Sequence, residues 1–374
     1  MDRSADIAIV GSGIAGLAHA YAALKKGYRV VLFERDTHAV GASIRNFGLL
    51  WPIGQVPGPD LDRALRTREI WNDVAAGARV WLRENGSLHL AYNKDEWDVL
   101  QEFAELYKME RYQFSMLTPD EVISLSPHVR GENLKGGMLS TTEATVYSRE
   151  AIKQIPIWLT EKFGLITRFG HAVKEVTLPH IHTTRESWTV KHVIICSGAD
   201  FQSLYPFEYE RQGLIKCKLQ MMKGVMPKKF MLGPSLCAGL TLRHYKAFEN
   251  CKSLKALSDR FDAENPFLHE NGIHVLVSQN QYGELILGDS HHYSSTPDPF
   301  DFANVDDAVL QYLDTFMNTN GIRITERWNG VYPKLKSGTH MVVKPQPGVT
   351  IVNGLGGAGM TLSFGLAEEV VASL

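Results

Sequence analysis

Two glycine-rich segments and several paired basic residues have types and spacings that chemistry can use. The first segment is Gly11-Ser12-Gly13-Ile14-Ala15-Gly16, with Glu34 following 18 residues after Gly16. Between a strand and a helix this pattern binds a dinucleotide. Gly11 makes the tight turn, Gly13 lets a pyrophosphate approach the backbone, and Gly16 lets helix and strand pack closely. The helix start at Ile14 and Ala15 turns free N–H groups toward the phosphates. Glu34 would accept from ribose hydroxyls, and its charge disfavours a 2'-phosphate. The fingerprint alone does not separate NAD from FAD. The second segment is Asn353-Gly354-Leu355-Gly356-Gly357-Ala358-Gly359-Met360, whose glycines expose N–H groups at the start of another helix. That arrangement suits negative charge developing on the pyrimidine side of a reduced flavin, and it equally fits a plain connection before a final helix.

The histidine pairs His180-x-His182 and His291-His292 lack a neighbouring carboxylate or thiolate set with established ligand spacing, so no metal is expected. The first pair reads as loop or surface. His291 and His292, with Arg243, His244 and Tyr245, read either as a surface cluster beside a sheet or as donors toward an anion. The four cysteines (Cys196, Cys217, Cys237, Cys251) show no CxxC spacing and read as reduced thiols.

The elements that must position these residues are legible in the apolar spacing. Asp6 to Val10 reads as a buried strand, Ile14 to Lys26 as a helix ended by Gly27, and Arg29 to Phe33 as a second strand. A loop rich in Gly and Pro runs from Gly41 to Pro59. A helix follows from Asp60 to Ala76, then a strand at Ser87 to Ala91 and a helix from Lys94 to Tyr107. Thr118-Pro119-Asp120-Glu121 is a helix start with a capping box. Residues 148 to 163 are helical, and His192 to Cys196 is a strand. From 214 to 335 the segments shorten and alternate, which predicts antiparallel sheet with one helix at about 304 to 318. A strand at 349 to 353 and a helix from about Thr361 return to the opening style.

With 374 residues, 44% hydrophobic and 21% charged, the chain has the composition of an ordinary globular protein of about two domains. The expectation is an α/β fold: a discontinuous Rossmann-like domain (1–80, 140–205 and 325–374) and an antiparallel-sheet α+β substrate domain (81–139 and 206–324). A net charge of -2 gives no basic excess for nucleic acid. No run reaches the length of a membrane span. Residues 7 to 24 mimic a signal peptide, but Asp2 and Asp6 precede them and the fingerprint lies inside, so a cytoplasmic location is expected.

Taken together, the motifs resemble the D-amino-acid oxidase superfamily, which includes glycine oxidase and sarcosine oxidase. The resemblance is carried in order by Gly11 to Gly16 with Glu34, by Ser43-x-x-Asn46-x-Gly48, and by Cys196-Ser197-Gly198-Ala199 in place of the usual Ala-Thr-Gly. It continues through Arg327-Trp328-x-Gly330-x-x-Pro333 and Gly354 to Leu362. Arg45-Asn46-Phe47-Gly48 with Trp51 to Gln55, and Gly288 to His292, resemble a subgroup associated with organophosphonate breakdown. The resemblance implies non-covalent FAD. Gly11, Gly13, Ile14, Ala15 and Gly16 would meet the pyrophosphate, Glu34 and Arg35 the adenosine ribose, and the backbone of Val173 the adenine. Ser43 and Asn46 would lie near the ribityl chain and ring, beside Arg45, Phe47 and Gly48. Ser197 and Gly198 join the cofactor contacts, and Gly354, Gly356, Gly357, Ala358, Gly359, Met360 and Thr361 would follow the pyrimidine edge.

The chain departs from the family pattern at Gly330-Val331-Tyr332-Pro333, where many amino-acid-oxidising members have Gly-Leu-Arg-Pro and use the Arg to clamp a carboxylate. The expected function is therefore FAD-dependent oxidation of a small anionic amine, 2-aminoethylphosphonate or its N-methyl derivative, to phosphonoacetaldehyde. Oxygen or another acceptor would take the electrons. Substrate-anion candidates are Arg45, Arg243, His244, Tyr245, His291, His292, Tyr332, Lys334 and Lys336. No residue is named as a catalytic base, because hydride transfer from a neutral amine requires none. A glycine, sarcosine or D-amino-acid oxidase, a tRNA-modifying flavoprotein domain and a redox-silent nucleotide-binding protein remain as alternatives.

Overall fold

The computed structural model describes residues 3–374; Met1 and Asp2, the first two residues of the expected nucleotide domain, lie outside the described residues. Two large sheets organise the chain. The first has eight strands, running in the order Val173–Thr177, His180–Thr183, Ser187–Ile195, Ser4–Val10, Val30–Glu34 and Ile166–Phe169. Val349–Asn353 also pairs with Ser187–Ile195 and carries Met341–Gln346 on its other side. Four of these pairings are parallel: Ser4–Val10 with Ser187–Ile195 and with Val30–Glu34, Ser187–Ile195 with Val349–Asn353, and Val30–Glu34 with Ile166–Phe169. Strands buried on both faces need continuous apolar runs, and Ile7, Ala8, Ile9, Val30, Val31 and Leu32 are inaccessible.

The helices Ile14–Lys25, Pro59–Ala78, Ser148–Phe163 and Gly359–Ala372 share one core with one face of this sheet. Two of them approach closely at Gly365, where a Cβ would stand 2.7 Å from the Arg63 carbonyl oxygen. The Gly365 N–H donates to Thr67 Oγ1 at 2.8 Å.

The second sheet has nine strands, ordered His292–Ser294, Ile215–Val225, Leu285–Gly288, Leu276–Gln279, Ser235–Cys237, Ser87–Ala91, Gly136–Ser140 and Phe114–Leu117. Arg323–Lys334 runs antiparallel along Ile215–Val225 for its full length. Every pairing is antiparallel except that of Ser235–Cys237 with Ser87–Ala91. A three-stranded sheet of Leu49–Leu50, Ala144–Val146 and Leu82–Arg83 accompanies them. This is the α/β unit with an antiparallel-sheet α+β unit that the sequence implied.

Two expectations are corrected. Between 214 and 335 the chain has more than one helix. Ala303–Phe316 matches the expected one, but Gly239–Leu242, Leu254–Glu264 and Pro266–Glu270 are also helical. In Leu254–Glu264 only Leu257 and Phe261 are buried, a stripe too narrow to stand out among the charges around it. The domain boundary at 325 also falls inside a strand: residues 325–334 stay hydrogen-bonded to the nine-stranded sheet, since a continuous ladder cannot be divided without orphaning its backbone groups.

Candidate active site

One elongated cavity of about 940 Å³ runs between the two units. At one end its wall is made by the carboxyl ends of the parallel strands, Val10, Phe33 and Glu34, where ligands of open α/β sheets bind. Gly11 takes φ 101°, a conformation that favours glycine, and turns the chain into the helix at Ile14. A Cβ on Gly13 would sit 3.0 Å from Ser43 Oγ. That hydroxyl accepts the Ile14 N–H at 2.9 Å, so the turn and the Ser43 loop are tied together. Gly16 lies behind the wall, where its lack of a side chain lets the helix rest against the Gly11 carbonyl.

Glu34 accepts from the N–H groups of Ser12 (2.9 Å) and Asp36 (3.1 Å), which fixes its carboxylate at the cavity edge. Arg35 pairs with Asp200 at 3.0 Å beside it. Val173 lines the same end, with Ser197 and Gly198. Asn46 braces its loop: its amide donates to the carbonyls of Ala42 (3.1 Å) and Ser43 (3.0 Å), and its oxygen accepts from the Gly48 N–H (2.8 Å). Gly48 is outside the wall, where a side chain would strike the Val146 carbonyl. Ala15, Arg45, Phe47, Gly354, Gly356, Gly357, Ala358, Gly359, Met360 and Thr361 all line the middle. Thr361 Oγ1 accepts the Trp51 N–H at 2.9 Å and so joins the last helix to the early loop.

The other end is polar. Tyr332 and Lys334, two apart on one strand, share a face and both reach the cavity. Lys334 is half-buried and has no carboxylate at ion-pair distance among the described residues; burial lowers its pKa. Opposite stand His244, Tyr245, His274, Asp289 and His291. The rings of His244 and His274 stack at 3.7 Å and 29°, and His291 lies 4.6 and 5.0 Å from them. Asp289 stands 3.3 Å from His274 Nε2 and 3.7 Å from His291 Nε2. Burial lowers the histidine pKa values, that of His291 to about 4, and raises that of Asp289 well above the carboxylate range.

Three anion candidates do not line the cavity. Arg243 is drawn off by Asp262 (2.6 Å) and His269 (3.1 Å). His292 belongs to the strand after His291 and pairs across from Lys218, on the side away from its neighbour. Lys336 is exposed in the loop beyond the strand. His180 and His182 sit on a short strand near the sheet edge. Among the described residues, the group of three potential ligand side chains that does assemble is His244, His274 and His291, with donor atoms within 4.8 Å. Sequence reasoning missed His274 and Asp289. The available signals were a histidine inside the apolar run Ile273–Val277 and the aspartate opening Asp289-Ser290-His291.

The family model described as FAD dependent oxidoreductase (DAO) matches residues 6–233 and 240–373. The chain belongs to this family, and its cofactor is FAD. It is 24% identical over 210 residues to a glycine oxidase of Geobacillus kaustophilus, covering 53% of this chain and 56% of that protein, so the match spans just over half the relative's length. It is 22% identical to gamma-glutamylputrescine oxidoreductase of Escherichia coli over 99% of this chain and 83% of the relative. Among solved structures, the crystal structure of the G. kaustophilus glycine oxidase superposes with a TM-score of 0.79 at 20% identity, over 100% of this chain and 94% of the other. L-proline dehydrogenase from P. horikoshii superposes with 0.80 at 16%, over 99% and 93%. The residues present fit the cofactor. Neither the helix at Ile14 nor that at Gly359 has a side-chain cap from its N-cap residue, and a Cβ at Gly13 would fill space at the first helix start. No helix among the described residues is long and apolar enough to cross a membrane.

Proposed function

We propose that this chain oxidises a small amine carrying a tetrahedral anion, 2-aminoethylphosphonate or its N-methyl derivative. Phosphonoacetaldehyde and ammonia or methylamine would be the products. The α/β unit would hold FAD non-covalently and the nine-stranded unit the substrate. Gly11, Gly13, Ile14 and Ala15 would meet the pyrophosphate, Glu34 and Arg35 the ribose, Val173 the adenine, and Gly356 to Thr361 the ring edge. Bound FAD supplies the acceptor for the hydride equivalent that leaves the amine carbon; the resulting imine hydrolyses.

The observation that carries the substrate reading is the half-buried ammonium of Lys334, without a carboxylate partner and two residues from Tyr332. An arginine clamp gives a carboxylate a bidentate fork, and its loss at Tyr332 removes charge-assisted bonds of about 1.5–3 kcal/mol each. A phosphonate has three acceptor oxygens and more charge. It suits donors spread around a pocket, here Lys334, Tyr332, Tyr245, His244 and His291. Arg45 supports a second reading, an amino-acid oxidase, since it also lines the cavity; its guanidinium is engaged with the Asn329 carbonyl at 3.1 Å. Anaerobic flavin bleaching by the two aminophosphonates, beside sarcosine, glycine and D-alanine at equal concentration, separates the readings. Faster bleaching by an aminophosphonate is expected, and faster bleaching by an amino acid rejects the phosphonate assignment.

A further inference from the structure

The polar end of the cavity contains more titratable groups than binding an anion by simple donors requires. His244 follows the helix Gly239–Leu242, His274 precedes the strand Leu276–Gln279, and Asp289 and His291 follow Leu285–Gly288. Two polar atoms in this cluster, Asp289 Oδ1 and His274 Nδ1, are buried without a hydrogen-bond partner. Buried polar atoms without partners are costly to keep, which points to a ligand or a proton that joins the set.

A transition metal is a poor completion. The rings of His244 and His274 lie face to face at 3.7 Å, so their in-plane lone pairs run side by side, whereas zinc needs lone pairs converging at about 2.0–2.1 Å. A proton on the third histidine fits the geometry better. His291 Nδ1 donates to the Gly272 carbonyl at 3.0 Å, which leaves Nε2 as the lone pair turned toward Asp289 Oδ2.

Charge balance supplies the rest. The groups facing the cluster are Tyr245 and Lys246 from its own turn, Tyr332 and Lys334 from the long strand, Cys217 from the strand beside it, and His292 and Tyr293 beyond His291. Lys334 is the ammonium whose charge is felt by both His244 and His291. A dianion brought to this end carries two negative charges; the half-buried Lys334 ammonium offsets one of them, while the charge of Lys246 is exposed and screened by solvent. An uncompensated charge in a buried site is costly.

We propose that His244, His274, His291 and Asp289 form a proton-coupled receptor for a tetrahedral dianion, in which the substrate headgroup enters together with one proton from solvent. This rests on the phosphonate reading and adds a stoichiometry to it. The proton from solvent forms an N–H bond at His291 Nε2, which faces Asp289 Oδ2 at 3.7 Å, and no bond of the ligand forms or breaks.

The test is calorimetry of the FAD-loaded, oxidised protein with difluoromethylphosphonate, which is dianionic at about neutral pH and has no amine to oxidise. Titrations in two buffers of different ionisation enthalpy give the protons exchanged per ligand. Uptake approaching one proton is expected, with none for acetate. His274→Asn and Asp289→Asn, checked for flavin content, should reduce the uptake and raise KM for the aminophosphonate more than they lower kcat. Binding without proton uptake, no binding, or stoichiometric transition metal in the purified holoenzyme overturns the receptor. If aminophosphonates fail to bleach the flavin while the probe still binds with a proton, the substrate reading fails and the receptor stands. Bleaching without uptake has the opposite meaning.

Discussion

On the phosphonate reading, Lys334 and Tyr332 would redirect specificity from two positions on one strand. A strand places residues i and i+2 on the same face, so when the residue expected to clamp an anion is a tyrosine, the next inward position can supply the charge. Burial lowers the Lys334 pKa, and an incoming anion favours the charged form again. Lys334→Gln should therefore raise KM for the aminophosphonate on the order of 10- to 100-fold, as loss of one charged hydrogen bond predicts. Lys334→Arg should recover part of it, and steady-state kinetics with flavin content measured alongside decides the matter. Tyr332 and Lys334 were legible because both lie in one short motif. His274 was not, because its partners at 244, 289 and 291 come from other segments and nothing in its own neighbourhood marks it.

At the scale of elements, what could be read was local chemistry. Thr118 and Glu121 form the expected capping box: the Glu121 side chain accepts from the Thr118 N–H at 2.8 Å, and the helix runs Pro119–Leu125. The fingerprint strand, turn and helix are found within two residues of their expected bounds. What could not be read was pairing across distance. The ladder between Ile215–Val225 and Arg323–Lys334 joins segments with some hundred residues between them, and alternation alone does not say which strand lies beside which. The contact between the Pro59–Ala78 and Gly359–Ala372 helices is of the same kind, since it depends on the one missing side chain at Gly365. Gly365→Val should overpack this contact and destabilise the protein by about 1–3 kcal/mol. The lower midpoint in chemical denaturation should appear with an unchanged m-value, whereas a wild-type midpoint would show that the helices can move apart freely.

The whole molecule places one cavity between two differently built units, and both contribute to its wall. The discontinuous first unit closes only when residues 341–353 join the sheet begun at residue 4, so both parts of the chain are needed to form the cofactor end. The strand Arg323–Lys334 spans the gap: it is paired along the nine-stranded sheet and, at its last residue, bridges to Leu355 in the glycine turn of the other unit. The backbone of Lys334 is thus hydrogen-bonded to the turn expected along the flavin edge. The strand would then act as a ruler between the proposed headgroup site and the flavin edge, setting the spacing between them. On the phosphonate reading, the number of methylenes between phosphorus and nitrogen then matters as much as the charge. Aminomethylphosphonate should fall short of the reactive position and 3-aminopropylphosphonate should overshoot it, each losing kcat while still competing for binding. Equal turnover of all three homologues would mean that the two ends of the cavity move independently.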